Sequence, residues 1–110
     1  MLEPMPYNHS CKDMIASARE TTGFLKAFAH EGRLAILCRL SDGESTVTEL
    51  EDMLGARQAA VSQQLSRLRL EGLVTTRRDG KIVYYMLADT RVRRMIGILD
   101  ELFCAPERQN

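Results

Sequence analysis

The chain has 110 residues, 15 Lys and Arg against 15 Asp and Glu for a formal net charge of zero, and 3 cysteines. That length suits one small domain, which buries roughly 60 to 70% of its unfolded surface, so a second subunit would add stability. No apolar run approaches the roughly 20 residues that span a bilayer, and the N-terminal stretch lacks a signal-peptide core; the sequence therefore predicts a cytoplasmic protein with no membrane partner.

In chain order, Cys11 to about Glu20 is expected to form a first helix, Thr21 or Thr22 to Ala29 a second, and Glu31 to Leu40 a third that ends near Gly43. His30 precedes the third helix and reads as a structural or capping residue. Thr46-Val47-Thr48-Glu49 has the spacing of a capping box, with Thr46 as N-cap and Glu49 at the third helical position. It opens a short helix through Leu54, which Gly55 stops.

After a turn at Gly55-Ala56-Arg57, Val61, Leu65 and Leu68 recur at helical spacing and give one apolar stripe. The opposite face carries Gln58, Ser62, Gln63, Ser66, Arg67 and Arg69, side chains that hydrogen-bond base edges or phosphates in a major groove about as wide as a helix. Gly72 ends that helix. A short helix, a turn and a second helix with a polar face make a helix-turn-helix.

Leu73 to Arg78 and Lys81 to Leu87 are two β-prone runs separated by Asp79-Gly80, a link that favours a type I′ hairpin. Such a turn pairs Arg78 with Lys81, Thr76 with Val83 and Val74 with Tyr85, and places Val74, Val83, Tyr85 and Leu87 on one face. Arg77, Arg78 and Lys81 then crowd the tip, where like charges repel unless an anion such as the phosphate backbone lies beside them. The zero net charge hides this asymmetry. Arg57, Arg67, Arg69, Arg77, Arg78 and Lys81 outnumber Glu71 and Asp79 in the reading unit, while Asp42, Glu44, Glu49, Glu51 and Asp52 make the preceding segment acidic and temper nonspecific binding.

Asp89 or Thr90 caps a last helix to Cys104, with Pro106 blocking its extension. Val92, Met95, Ile96, Leu99, Leu102 and Phe103 form an apolar stripe there, read as a dimer surface packed with Met14, Ile15 and Ala18 of the first helix. A dimer suits DNA reading, since two recognition helices about 34 Å apart address successive major grooves of a near-palindromic site. The expected fold is mainly α with a small β-hairpin, a homodimeric winged helix-turn-helix. Residues 1–10 read as a flexible arm, 11–105 as the DNA-binding and dimerisation domain and 106–110 as a flexible tail.

The helix order, His30-Glu31-Gly32-Arg33-Leu34-Ala35-Ile36-Leu37, the run from Ser62 to Val74 and the wing from Arg77 to Leu87 resemble the ArsR family of winged-helix repressors over nearly the whole chain. The resemblance implies a dimer that represses transcription at double-stranded operator DNA until an inducer binds or modifies it. Gln58, Ser62, Gln63 and Arg67 would touch base edges or phosphates with help from Gln64, and Arg77, Arg78 and Lys81 would hold phosphate or minor groove.

The cysteines bear on the inducer. A structural disulfide is not expected in a cytosolic chain, which leaves redox chemistry, thiolate–metal binding or inert packing. Cys38, four residues after Leu34, reads as partly buried; Cys104, with Asp100 and Glu101 before it at the end of a helix, reads as exposed; Cys11 has no assigned role. Cys38 and Cys104 occupy the places of the two cysteines in the dithiol persulfide sensors of the BigR and SqrR type, a subgroup of the family. That resemblance implies that reactive sulfur species such as glutathione persulfide crosslink the pair and release the DNA, at genes of sulfide response.

The family also contains thiolate sensors of As(III), Cd(II) or Cu(I), and a peroxide or general redox sensor is a further alternative. Against metals, the paired cysteines of arsenic-responsive relatives and the histidine set of zinc-sensing relatives are absent, although a trigonal Cys11, Cys38 and Cys104 site stays open. An enzyme is not expected, since no base accompanies a cysteine in sequence and no phosphate-binding glycine loop is present. Neither a metal nor a cofactor is expected.

Overall fold

A computed structural model describes residues 10–104, so the expected arm over 1–10 lies outside the described residues except for Ser10, as does the tail over 106–110. Six helices and a hairpin follow in the order α1 (Cys11–Ala16), α2 (Ala18–Lys26), α3 (Glu31–Asp42), α4 (Val47–Leu54), α5 (Gln58–Leu70), β1 (Val74–Asp79), β2 (Ile82–Leu87) and α6 (Thr90–Phe103). This is the expected mainly helical winged helix-turn-helix.

The break between the first two helices falls earlier than expected. It lies at Ser17, whose N–H donates to the carbonyls of Asp13 and Met14, both at 3.1 Å. Thr21 and Thr22 are interior to α2. The Thr21 N–H continues the helical ladder to the Ser17 carbonyl at 2.9 Å, and the Thr22 hydroxyl donates back to the Arg19 carbonyl at 3.3 Å. Threonines are cap signals only when the backbone before them is non-helical, and here the side chain bonds backward along the helix instead.

His30 caps α3 as expected, its Nδ1 accepting from the N–H groups of Gly32 at 3.0 Å and Arg33 at 3.4 Å. At α4 the capping box closes in both directions: Thr46 N–H donates to Glu49 Oε1 at 3.0 Å, and Glu49 N–H donates to Thr46 Oγ1 at 3.2 Å. Gly55 then ends α4 in the left-handed region at φ 62°, where a β-carbon would be strained. Leu50 from α4, Val61, Leu65 and Leu68 from α5, and Ile36, Leu37 and Leu40 from α3 meet in one core. Burying each such side chain stabilises the fold by about 1.5 to 3 kcal/mol, which fixes α5 with its polar face outward.

The hairpin register corrects the expected one by two residues. Asp79 pairs with Ile82, Arg78 with Val83, Thr76 with Tyr85 and Val74 with Leu87, leaving Gly80-Lys81 as the turn. A type I′ turn on Asp79-Gly80 would force Asp79 to positive φ. Among the described residues only glycines adopt that region, and Gly80 at φ 62° takes the first turn position, where the II′ hairpin turn favours glycine. A slip of two preserves the faces, so Val74, Val83, Tyr85 and Leu87 still share one side, but Arg78 and Lys81 are not cross-strand partners.

On its other edge β2 meets the chain before α4. Ser45, fully buried, exchanges backbone bonds with Tyr85 at 3.0 and 2.8 Å, which ties the wing to the helix-turn-helix. Asp89 caps α6 by accepting from the Arg91 N–H at 2.9 Å. The Arg91 guanidinium also pairs with Glu20 at 3.0 Å and lies 5.0 Å over the Phe24 ring, linking α6 to α2. No helix of the described residues is long and apolar enough to cross a membrane.

Candidate DNA-reading surface and thiol groove

The polar face of α5 emerges largely as the sequence implies. Gln58, Gln63, Ser66, Arg67 and Arg69 are exposed, while Ser62 and Gln64 are half-buried. Gln64 has a partner that sequence reasoning missed: its Oε1 accepts from Arg33 at 3.4 Å. Arg33 also donates to the carbonyls of Ala27 at 3.2 Å and Lys26 at 2.9 Å, so one guanidinium joins the end of α2, the start of α3 and the recognition helix. Its only sequence signal was its place in the segment that resembles the family. Arg67 pairs with Glu71 one turn later at 3.3 Å.

On the wing, Arg77 is engaged within the protomer. Its guanidinium makes a two-point contact with the Glu44 carboxylate and lies 4.4 Å over the Tyr84 ring. That partner holds the Glu44 carboxyl below its ordinary range and raises Arg77. Arg78 and Lys81 are exposed at the tip.

The second feature is a groove of about 360 Å³ between α3 and α6, lined also by Phe28 from the turn after α2. Leu34, Cys38, Ile96, Leu99, Phe103 and Cys104 line it, so two thiols far apart in the chain share one cavity. Cys104 is exposed, as expected. Cys38 is exposed as well, where partial burial was expected. It faces out because α3 turns Ile36, Leu37 and Leu40 to the core, and that leaves position 38 on the flank of the helix.

The apolar walls nevertheless withdraw Cys38 from part of its water. That loss of solvation, with smaller contributions from the carboxylates of Asp42 and Asp100 and from Cys104, pushes its thiol above the ordinary range. Cys11 lies on α1 and is not among the residues lining the groove. Among the described residues no three histidine, cysteine or carboxylate side chains gather as a metal site, so the three-thiolate arrangement is not assembled within the protomer.

The stripe on α6 divides between two environments. Val92 is fully buried in the protomer's own core and Ile96 packs against it, so Val92 is not available as the dimer contact it was expected to be. Met95 and Leu99 are half-buried. Leu102 at 65% and Phe103 at 71% exposure stay on the surface, as do Met14 at 55% and Ile15 at 74% on α1.

Residues 30–76, which contain α3, the helix-turn-helix and the start of the wing, match the bacterial regulatory protein, arsR family. A biofilm growth-associated repressor of Agrobacterium fabrum is 47% identical over 90 residues, covering 82% of this chain and 77% of the relative. The chain belongs to the arsR family of bacterial regulatory proteins. The crystal structure of the transcriptional repressor BigR from Xylella fastidiosa superposes with a TM-score of 0.84 at 38% identity, covering 88% of this chain and 99% of that one. Reduced HlyU from Vibrio cholerae, at 43% identity and a TM-score of 0.79, covers 84% and 98%. As an arsR-family member the chain is a DNA-binding transcriptional regulator, not an enzyme.

Proposed function

We propose that this arsR-family regulator is a cytoplasmic repressor whose reduced homodimer holds operator DNA and lets go when reactive sulfur species crosslink Cys38 to Cys104. The observation that carries the reading is the shared groove: two exposed thiols, one on α3 and one at the C-terminal cap of α6, line one cavity. The likeness to proteins named as repressors supports the direction of control.

DNA recognition falls to α5 and the wing. Gln58, Ser62, Gln63 and Arg67 read base edges or phosphates, Gln64 is oriented by Arg33, and Arg77, Arg78 and Lys81 grip the backbone. The exposed Met14, Ile15, Leu102 and Phe103, flanked by Met95 and Leu99, are the surface for a second copy, which sets the spacing of the two recognition helices.

For glutathione persulfide the chemistry runs in two steps. One cysteine thiolate attacks the sulfane sulfur, the S–S bond of the donor breaks, and glutathione leaves as its thiol with a proton from solvent. The other cysteine then attacks the protein persulfide at the cysteine sulfur and expels hydrosulfide, so two thiols lose two electrons and the sulfane sulfur gains them. A longer polysulfide bridge forms if further sulfane sulfur adds first. The strap joins α3, immediately before the helix-turn-helix, to α6 at the dimer surface. Moving occupancy from 99:1 to 1:99 takes a differential of about 5.5 kcal/mol between bound and free states, within reach of one covalent strap per subunit.

The test is selection of operator duplexes from a random pool by the anaerobically reduced chain, then affinity for the selected DNA after glutathione persulfide, hydrogen peroxide or As(III). Release by persulfide, reversed by a dithiol reductant and lost in Cys38→Ser and Cys104→Ser, is expected. Unchanged affinity after persulfide, or normal release by either serine variant, refutes it; release by As(III) alone makes the protein a metalloid sensor.

A further inference from the structure

Arg33, in the first turn of α3, stands beside the flank of the recognition helix. It donates through Nε to the Ala27 carbonyl at 3.2 Å, through Nη2 to the Lys26 carbonyl at 2.9 Å and through Nη1 to Gln64 Oε1 at 3.4 Å. These bonds hold the planar fork in place and occupy three of the five N–H groups that a guanidinium carries, so donors and the positive charge remain for a ligand. A guanidinium has no acceptor. The Gln64 amide therefore turns its oxygen to Arg33 and its NH2 group away.

Arg33 and Gln64 line an open depression of about 550 Å³ with Gln63, Ser66 and Arg67 from the exposed face of α5. Its far end is the exposed Leu70 and Glu71, whose carboxylate is engaged by Arg67 at 3.3 Å. Gln64 is half-buried beside the core residue Leu65, which puts it on the flank of the helix rather than its crest. A helix lying in the major groove shows its crest to the base edges and its flanks to the sugar-phosphate walls. Glutamine reads adenine with its oxygen and NH2 together, and here the oxygen is engaged. The NH2 group that remains suits a phosphate oxygen, which only accepts.

We propose that Arg33 and the Gln64 amide form a seat for one phosphodiester of the DNA backbone, on the wall of the groove that α5 enters. Arg33 is then a DNA contact supplied by α3, outside the helix-turn-helix. The proposal rests on the reading of α5 as the recognition helix. Because its ligand is an anionic oxygen of the strand, the seat fixes the depth and register of α5 and carries no base preference of its own.

The experiment uses a duplex selected from a random pool by the reduced full-length chain, and a random duplex, each titrated over a range of salt concentrations. Arg33→Gln should flatten the dependence of log affinity on log salt by about 0.9 for each subunit bound. Gln64→Glu keeps an acceptor for Arg33 but offers phosphate no donor, and should weaken both duplexes alike, on the order of tenfold. Methylphosphonate placed at one linkage at a time in the selected duplex should reveal a position that weakens the parent and leaves both variants unmoved. Loss of packing does not imitate that coupling, and Gln64→Glu reads it even where Arg33→Gln lowers the unfolding midpoint.

A Gln64→Glu loss confined to the selected duplex would make Gln64 a base reader and overturn the seat. Methylphosphonates that act equally on parent and variants, with the Arg33→Gln slope unaltered, would overturn it too; a loss of operator affinity in Arg67→Ala would then leave α5 standing as the recognition helix. Undiminished affinity in Arg67→Ala as well would overturn that reading together with the seat.

Discussion

Arg77 and Glu44 form a two-point ion pair across the boundary between the wing and the segment before α4, with Arg77 Nε at 2.7 Å from Glu44 Oε2. In the proposed reading, where Arg77 grips phosphate, DNA must displace this carboxylate partner. Glu44→Gln should therefore raise affinity for random duplex DNA and make the salt dependence steeper by about one counterion. Titration of selected and random duplexes at several salt concentrations checks this; an unaltered slope would show that Arg77 stays out of contact with phosphate.

The tip and the recognition helix should fail differently. Arg67→Ala is expected to cost about 1 to 3 kcal/mol on operator DNA and far less on random DNA, whereas Lys81→Ala weakens both alike and flattens the salt slope. Equal losses on the two DNAs for Arg67→Ala would remove its base-reading role.

The closed capping box at Thr46 predicts that Thr46→Ala destabilises the protein by about 1 kcal/mol in denaturant unfolding. Glu49, whose carboxyl is held below its ordinary range chiefly by the Thr46 N–H, loses that contact as pH falls through its lowered value. The helix contribution is thus present above the ordinary carboxylate range and declines in acid. A variant as stable as the parent at neutral pH would contradict the assignment.

Most of the fold was legible because its signals are local: the apolar period of α5, the Thr46 to Glu49 box, the glycines at the ends of helices. What was not legible depended on facts that periodicity does not carry. A two-residue shift of the hairpin leaves every side chain on the same face, so the alternation of Val83, Tyr85 and Leu87 could not distinguish the two registers; the positive φ of Gly80 decided between them. The exposure of Cys38 turned on which flank of α3 meets the core, and the shared groove on how α6 folds back over α3. Arg33 was missed because its three partners lie in two other segments, Lys26 and Ala27 at the end of α2 and Gln64 on α5.

Partial loss of solvation and the carboxylates of Asp42 and Asp100 raise the Cys38 thiol, so its thiolate fraction at neutral pH is below that of an ordinary cysteine. In a Cys11→Ser, Cys104→Ser variant, alkylation of Cys38 by iodoacetamide should still be accelerating above pH of about 8.5, the ordinary thiol value. Addition of Asp42→Asn should move the profile to lower pH. A plateau below the ordinary value would show that the groove activates this thiol rather than quieting it.

With Phe103 and Leu102 exposed at the end of α6, sedimentation of the reduced chain at micromolar concentration should show a dimer, and Phe103→Asp should yield a monomer with weakened operator binding. A monomeric parent that binds operator with undiminished affinity would exclude the second copy from recognition.

The central claim is most directly tested by the intact mass and peptide map of the anaerobically reduced chain after separate exposure to glutathione persulfide, hydrogen peroxide and As(III). The account predicts a Cys38 to Cys104 crosslink, with or without inserted sulfur, in the persulfide sample alone. An unmodified chain in persulfide together with a stoichiometric arsenic adduct spanning the thiols would contradict it.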